Sequence, residues 1–112
     1  MKTQVVVKFS LGAYDVIFEK YFQLPAAPFY DMTLYDEYKG NDIHVQFSND
    51  DFQKTEIAFF VKNDSYYVEI IIKKLSSYFL NEQYNHFIKC GWTLYKGSEE
   101  NLKKMTELLE KK

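Results

Sequence analysis

Two stretches near the start of the chain alternate between apolar and polar residues, as β-strands with one buried face do. Gly12 lies between them, and the segment Pro-Ala-Ala-Pro at 25–28 follows the second stretch. Because proline cannot donate to a sheet, we predict a β-hairpin that ends at Leu24. The apolar alternate positions are Val5, Val7, Phe9 and Leu11, followed by Val16, Phe18, Phe22 and Leu24.

The middle of the chain is less regular. It predicts a short strand at 32–35, a turn at 39–42 and a half-buried strand around Ile43, Val45 and Phe47. A second turn is expected in the sequence Ser-Asn-Asp-Asp that follows this strand.

The strongest strand pair comes next. Two β-rich runs, TEIAFFVK at 55–62 and YYVEIIIK at 66–73, flank a turn-forming Asn-Asp-Ser at 63–65. We predict a second hairpin here and expect it to lie at the centre of the sheet.

Beyond Lys74 the apolar period changes to that of a helix. Ser76, Ser77 or Asn81 is suited to cap a first helix, and Gly91 stands where a glycine commonly ends one. A short strand at 92–96 and a last helix after Gly97 complete the chain. The predicted apolar faces are Leu80, Tyr84, Phe87 and Ile88 in the first helix, and Leu102, Met105, Leu108 and Leu109 in the second.

These elements predict a single α+β domain over residues 1–112. It has a mostly antiparallel sheet of about six to seven strands, with two C-terminal helices packed on it. Hydrophobic residues make up 46% and charged residues 27%, as in globular domains. The aromatic share of 19% is high enough that we expect some rings on the surface.

The composition also bears on compartment and origin. A single cysteine and the lack of a long apolar run predict a cytoplasmic protein with no membrane span. All 14 basic residues are lysines, and Asn, Ile, Tyr and Phe are abundant. These residues have AT-rich codons, so we infer a low-GC bacterium, its phage or a mobile element.

Two residues four apart, His86 and Cys90, would share one face of the first helix and are ligands that zinc accepts. His44 and a carboxylate would have to complete the site. However, the dipole at the C-terminal end of a helix disfavours a thiolate, so a cysteine packed as a small apolar residue is the simpler interpretation. We therefore predict neither a metal nor a cofactor.

Catalytic patterns are missing from the sequence. It contains no P-loop, dinucleotide fingerprint, nucleophile elbow or HExxH motif. Asp36-Glu37 and Asp50-Asp51 are adjacent acids, whereas acid–base chemistry needs two groups that converge on one cleft. We expect a protein that is not an enzyme and has no catalytic residues.

Acidic residues are concentrated in one region. Residues 1–72 carry a net charge of −5 and residues 73–112 a net charge of +3. Between Asp31 and Asp51 the only lysine is Lys39, and tyrosines are interleaved with the acids. The candidate partner-binding residues are Phe29, Tyr30, Asp31, Tyr35, Asp36, Glu37, Tyr38, Asp42, Asp50 and Asp51.

Tyrosines and carboxylates on an irregular segment suit a protein-binding surface that is steered toward a basic partner. The first hypothesis is a non-catalytic interaction module, such as a phage or mobile-element inhibitor that occupies a basic, nucleic-acid-handling surface of a larger host protein. The alternative without a binding role is a solvated turn region whose aromatic rings fold back onto the sheet.

A second hypothesis is a nucleic-acid or small-ligand domain that uses exposed aromatic residues. The net charge of −2 and the lack of arginine make direct nucleic-acid binding the weaker of the two hypotheses. The sequence also leaves open a homodimer formed through an edge strand.

Overall fold

The computed structural model describes residues 1–111. It confirms an α+β architecture with seven strands and two C-terminal helices in that part of the chain. The strands are β1 (Lys2–Leu11), β2 (Tyr14–Gln23), β3 (Thr33–Tyr38), β4 (Asn41–Gln46), β5 (Gln53–Phe60), β6 (Ser65–Ile72) and β7 (Thr93–Leu94). The helices are α1 (Ser77–Lys89) and α2 (Ser98–Glu110), and a single 3₁₀ turn (Val61–Asn63) joins β5 to β6.

The strands form two sheets. Five of them pair in the order β5-β6-β1-β2-β7, and β3 pairs with β4 as a separate hairpin. Neighbouring strands are antiparallel except β1 and β6, which run parallel. Parallel strands need a long connection, and here everything between Leu11 and Ser65 provides it.

The expectation that the β5–β6 hairpin lies at the centre of the sheet is wrong. The central strand is β1, and β5 forms one edge. The physical reason lies in Val5, Val6 and Val7, which are all at most 1% exposed although they point to alternate faces. Side chains of the neighbouring strands cover both faces of a strand only when it has a neighbour on each side. β6 and β2 are these neighbours of β1.

The core lies on one face of the five-stranded sheet. Phe9 and Phe18 project from this face, and the ring of Phe87 from α1 stacks on Phe18 with ring centroids 5.0 Å apart. The β3–β4 hairpin contributes the rest of the core. Its inward side chains and the residue that follows it are buried, namely Leu34, Ile43, Val45 and Phe47.

Helix α1 begins and ends where the sequence predicts. The Ser76 Oγ accepts a hydrogen bond from the Phe79 backbone N–H, and Gly91 has φ +78°. The predicted burial of its last turn is only partly correct, because Ile88 is 44% exposed whereas Cys90 is fully buried. At Cys90 the chain leaves the helix toward the sheet, so the helical wheel no longer gives the side-chain direction.

Helix α2 packs against β2 and α1. The Ser98 Oγ accepts from the backbone N–H of Ile17, and the Asn101 side chain donates to the carbonyl of Asp15. Met105 is fully buried beneath the helix. Within residues 1–111, no helix has both the length and the apolar character that crossing a membrane requires.

One charged cluster connects β2, the β3–β4 hairpin and the segment that follows α1. The Lys20 Nζ on β2 lies 2.8 Å from the Asp36 Oδ2 on β3 and donates to the carbonyl of Cys90, also at 2.8 Å. The indole Nε1 of Trp92 donates to the same carboxylate oxygen at 3.0 Å. The Tyr38 ring centroid lies 4.6 Å from the Lys20 Nζ, where it favours the cation.

Replacing Asp36 by Asn keeps the shape of the side chain but leaves Lys20 without its counter-ion. Breaking such a pair on one side costs about 3–5 kcal/mol, and we expect the lower end because Lys20 retains some solvent contact. Urea unfolding followed by Trp92 fluorescence measures the loss. Glu37→Gln, an exposed neighbour, is the control, and an equal loss in both variants would contradict the role of the pair.

Candidate functional site

The β3–β4 hairpin turns one face to the core and the other to solvent. On the outer face, residues of β3 lie directly opposite residues of β4 in three cross-strand pairs. The outer residues are exposed apart from the half-buried Thr33. The three pairs are Thr33 with Gln46, Tyr35 with His44, and Glu37 with Asp42.

The pair nearest the turn joins two carboxylates. Glu37 lies opposite Asp42, and like charges in that arrangement destabilise a hairpin. The nearest basic group to Asp42 is the His44 Nε2 at 3.4 Å, and within residues 1–111 no lysine forms an ion pair with either carboxylate. The outer face therefore carries two carboxylates without a lysine ion pair, and the basic side chains beside them are His44 and Lys39.

Exposed aromatic rings accompany these carboxylates. Tyr35 is 67% exposed, and its ring lies 4.4 Å from that of His44. At the other end of the hairpin, Phe29 and Tyr30 are also exposed. Asp31 follows them with φ +70°, and its N–H donates to the carbonyl of Phe47, which fixes the segment to the end of β4.

The structure divides the candidate residues from the sequence into three groups. The exposed residues on or beside the hairpin form what we call the acidic hairpin surface, defined as Phe29, Tyr30, Asp31, Tyr35, Glu37 and Asp42. Asp36 is 7% exposed and is bound to Lys20 and Trp92, so it does not belong to this surface. Tyr38 is 36% exposed, but its ring lies on the inward face, beside Gly91 and Lys20.

Asp50 and Asp51 form the third group. Both are exposed, but they lie in the loop that leads from β4 into β5. The Asp50 Oδ1 accepts from the backbone N–H groups of Phe52 and Gln53. This is the turn-capping geometry that aspartate often adopts, and it gives Asp50 a structural role.

The open face of the five-stranded sheet carries a polar network that sequence reasoning missed. Glu19 accepts hydrogen bonds from the Gln4 amide at 2.6 Å and the Tyr95 hydroxyl at 3.0 Å. On the other side of β1, Glu69 accepts from the Tyr67 hydroxyl and pairs with the Lys8 Nζ, both at 3.0 Å. The residues of this network come from three strands (β1, β2 and β6) and from the segment after β7, so no local motif predicts it.

Two tyrosines of this network stay neutral well beyond their usual range. Burial and the hydrogen bond to Glu19 raise the pKa of Tyr95 to about 12. Burial and the bond to Glu69 raise the pKa of Tyr67 as well. A tyrosine with a raised pKa is a poor acid–base catalyst near neutral pH. The two hydroxyl groups instead hold the carboxylates of Glu19 and Glu69 in place. The network therefore stabilises the sheet.

Beside this network lies a cleft of about 440 Å³. Exposed Tyr21 and Phe60 stand at its rim, and the Lys2 Nζ lies 6.0 Å from the Tyr21 ring centroid. Gln4 and Tyr67 also line it. Aromatic rings next to one lysine are the features on which the ligand-binding hypothesis depends.

The His86 and Cys90 pair does not form a common site. His86 lines a shallow depression with His44, Asp42 and Gln83, whereas Cys90 is fully buried. Among residues 1–111, no three His, Cys, Asp or Glu side chains are grouped so that they could hold a metal ion. Burial, followed by the nearby carboxylate of Asp36, raises the pKa of the Cys90 thiol.

Comparison of the chain with protein-family models, curated proteins and solved structures found no match.

Because Cys90 is buried and its pKa is raised, we expect thiol reagents to modify it only after the protein opens. Labelling with Ellman's reagent should be at least about a thousandfold slower in buffer than in urea, since global opening is rare. A variant with Cys90→Ala and the exposed Asn85→Cys is the control and should react at once. Fast labelling of Cys90 in the native protein would contradict its burial.

The raised pKa of Tyr95 makes stability depend on alkaline pH. Its hydroxyl titrates near 10 in the unfolded chain and about 12 in the folded one. The stabilisation is therefore complete below pH 10 and is lost as pH rises toward 12. Urea unfolding across this range should show a smaller decline for Tyr95→Phe, by up to about 2 kcal/mol. The exposed Tyr35→Phe is the control, and a decline as steep as wild type in Tyr95→Phe would contradict the shift.

Proposed function

We propose that this protein is a non-catalytic interaction module that binds a basic surface of a larger protein through the acidic hairpin surface. The observation that carries this proposal is the cross-strand pair of Glu37 and Asp42, exposed and without a neutralising lysine. Such a pair opposes folding of the hairpin, and a cation supplied by a partner relieves the repulsion.

The aromatic residues supply the contact area that carboxylates lack. Tyr35, Tyr30 and Phe29 are each more than half exposed. Tyrosine presents a large, rigid ring with a hydrogen-bonding tip and loses little conformational entropy on binding. Carboxylates increase the rate of encounter with a positively charged surface, and the rings provide the contacts that retain it.

The surface is held on a rigid support. The inward face of the hairpin is buried on the sheet, and Asp36 is bound by Lys20 and Trp92. A preformed surface binds without the cost of ordering a flexible segment. This support favours the acidic hairpin surface over a solvated turn whose aromatic rings fold back.

The partner in this proposal has a basic surface, and such surfaces are typical of proteins that bind nucleic acids. The abundance of residues with AT-rich codons indicates a low-GC bacterium, its phage or a mobile element as the source. We therefore propose a phage or mobile-element inhibitor that covers a basic surface of a host protein. The second candidate, a nucleic-acid or small-ligand domain, is favoured by the cleft beside Tyr21 and Phe60. It is the weaker candidate because Lys2 is the only basic residue that lines that cleft within residues 1–111.

Reversing both charges of the cross-strand pair tests the proposal. Glu37→Lys with Asp42→Lys should reduce capture of the partner from a low-GC bacterial lysate by at least about tenfold, since several favourable charge contacts become repulsive. Quantitative mass spectrometry measures the captured partner. The matched control is Glu82→Lys with Glu107→Lys, which changes the net charge equally on exposed sites of the two helices.

The purified partner is then titrated with each variant at low and high salt. Binding by the Glu37/Asp42 variant as tight as by wild type would exclude the acidic hairpin surface. A parallel titration with a fluorescent single-stranded oligonucleotide separates the two candidates, because binding of the oligonucleotide with strong salt dependence would support the second one.

A further inference from the structure

The cleft beside Tyr21 lies on the face of the five-stranded sheet that points away from the core. On β1, Val5 and Val7 belong to the core, so Gln4 between them in the alternation points to the open face. The strand register places the open-face residues in two neighbouring rows across the sheet. One row is Ala58, Tyr67, Gln4 and Tyr21, and the next is Phe60, Ser65, Lys2 and Gln23.

Ser65 leaves a gap in the second row. Its side chain is the smallest of that row, and it stands between Phe60 on β5 and Lys2 on β1. Adjacent strands are spaced by about 4.8 Å, so about 10 Å separates Phe60 from Lys2 across this small side chain. The gap is the centre of the cleft of about 440 Å³.

The polar network keeps the larger side chains of the first row out of this gap. The Gln4 amide donates to Glu19 at 2.6 Å, and the Tyr67 hydroxyl donates to Glu69 at 3.0 Å. Both carboxylates belong to the row on the far side, where they flank Val6. The cleft is therefore preformed, and a preformed site binds without the free-energy cost of reorganisation. Its volume lies within the range of about 300–1,000 Å³ that small-molecule sites have.

The charge of the lining favours an anion. Lys2 lines the cleft and no aspartate or glutamate does, although the chain has a net charge of −2. Asp64 in the adjoining turn is exposed and is not part of the lining. Within residues 1–111, the side chains of Lys2, Asn63 and Ser65 form no hydrogen bond or ion pair. Their donor groups are therefore free for a ligand.

The rim of the cleft favours a flat ring. Tyr21 is 57% exposed and Phe60 is 48% exposed, and the two stand on opposite sides of the gap. The Lys2 Nζ lies 6.0 Å from the Tyr21 ring centroid. A ring that packs against Tyr21 therefore brings its own negatively charged substituent close to this ammonium group.

We propose that this cleft binds a small planar aromatic molecule that carries one anionic group. The ring packs against Tyr21 and Phe60, and the anion pairs with Lys2 and accepts hydrogen bonds from Ser65 and Asn63. A single lysine suits one anionic group, whereas a nucleic-acid strand is held by several cations. This inference goes beyond the binding of a basic partner, because the β3–β4 hairpin packs on the other face of the sheet.

Two probes share this chemistry and distinguish its sources, namely adenosine 5′-monophosphate and indole-3-acetate. In isothermal titration calorimetry at low salt, at least one should bind with a Kd of about 1 mM or tighter. The tighter of the two identifies the anion as phosphate or carboxylate. Adenosine and indole, which lack the anionic group, should bind at least about fivefold more weakly than their charged counterparts.

Two substitutions test the shape of the site. Tyr21→Ala should raise the Kd at least about fivefold, which is the lower end of the effect of removing a stacking ring. Ser65→Tyr fills the gap between Phe60 and Lys2 with a residue that β-strands favour, so it should abolish binding. The matched control is Tyr35→Ala, which removes an exposed ring from the acidic hairpin surface and should leave the Kd unchanged.

A third substitution tests the charge. Lys2→Gln should raise the Kd at least about threefold and remove most of its dependence on salt, because exposed charges are screened. Lys103→Gln changes the net charge equally on an exposed site of α2 and is the control. Circular dichroism checks the fold of each variant.

Nuclear magnetic resonance locates the bound probe. Changes in amide chemical shift should centre on Gln4, Ser65 and Tyr67. No binding of either probe at about 10 mM, or binding that Ser65→Tyr leaves unchanged, would overturn the proposal. The variant with Glu37→Lys and Asp42→Lys should bind the probes as wild type does, so the failure of one proposal is distinguishable from the failure of the other.

Discussion

The ion pair between Lys20 and Asp36, together with the buried side chains of Leu34, Ile43 and Val45, determines which face of the hairpin reaches solvent. A hairpin of two strands is at best marginally stable alone, so β3 and β4 need the rest of the protein to hold them. Asp36 helps to fix them to the sheet because its Oδ2 accepts hydrogen bonds from the Lys20 Nζ and the Trp92 Nε1. Successive residues of a strand point to opposite faces, so the burial of Asp36 directs Tyr35 and Glu37 outward.

Local features of the fold could be predicted from the sequence, whereas the order of the strands could not. The turn at 63–65 and the two ends of α1 depend on residues close together in the chain, which periodicity and capping rules describe. The parallel pairing of β1 with β6 joins residues more than sixty positions apart, such as Thr3 and Tyr66. No local pattern favours β6 over β5 as the neighbour of β1, so the sequence does not reveal that β5 lies at the edge of the sheet.

The candidate site was predictable to a similar extent. Its region was identified by charge and tyrosine content, which need no structure. Its division into exposed and buried residues depends on Lys20 and Trp92, which lie 16 and 56 positions from Asp36. Extending the predicted strand from 35 to 38 assigns alternate residues to opposite faces, with Asp36 inward and Glu37 outward.

Two surface features of this protein oppose the requirements of folding alone. Within residues 1–111 every buried side-chain polar atom has a hydrogen-bond partner, and the carboxylates of the open sheet face are bound by tyrosines, Gln4 and Lys8. Against this background, the repulsive pair of Glu37 and Asp42 and the exposed apolar residues at 58–61 stand out. Local features that cost stability persist where function requires them. A cation placed close to both carboxylates relieves the repulsion between Glu37 and Asp42.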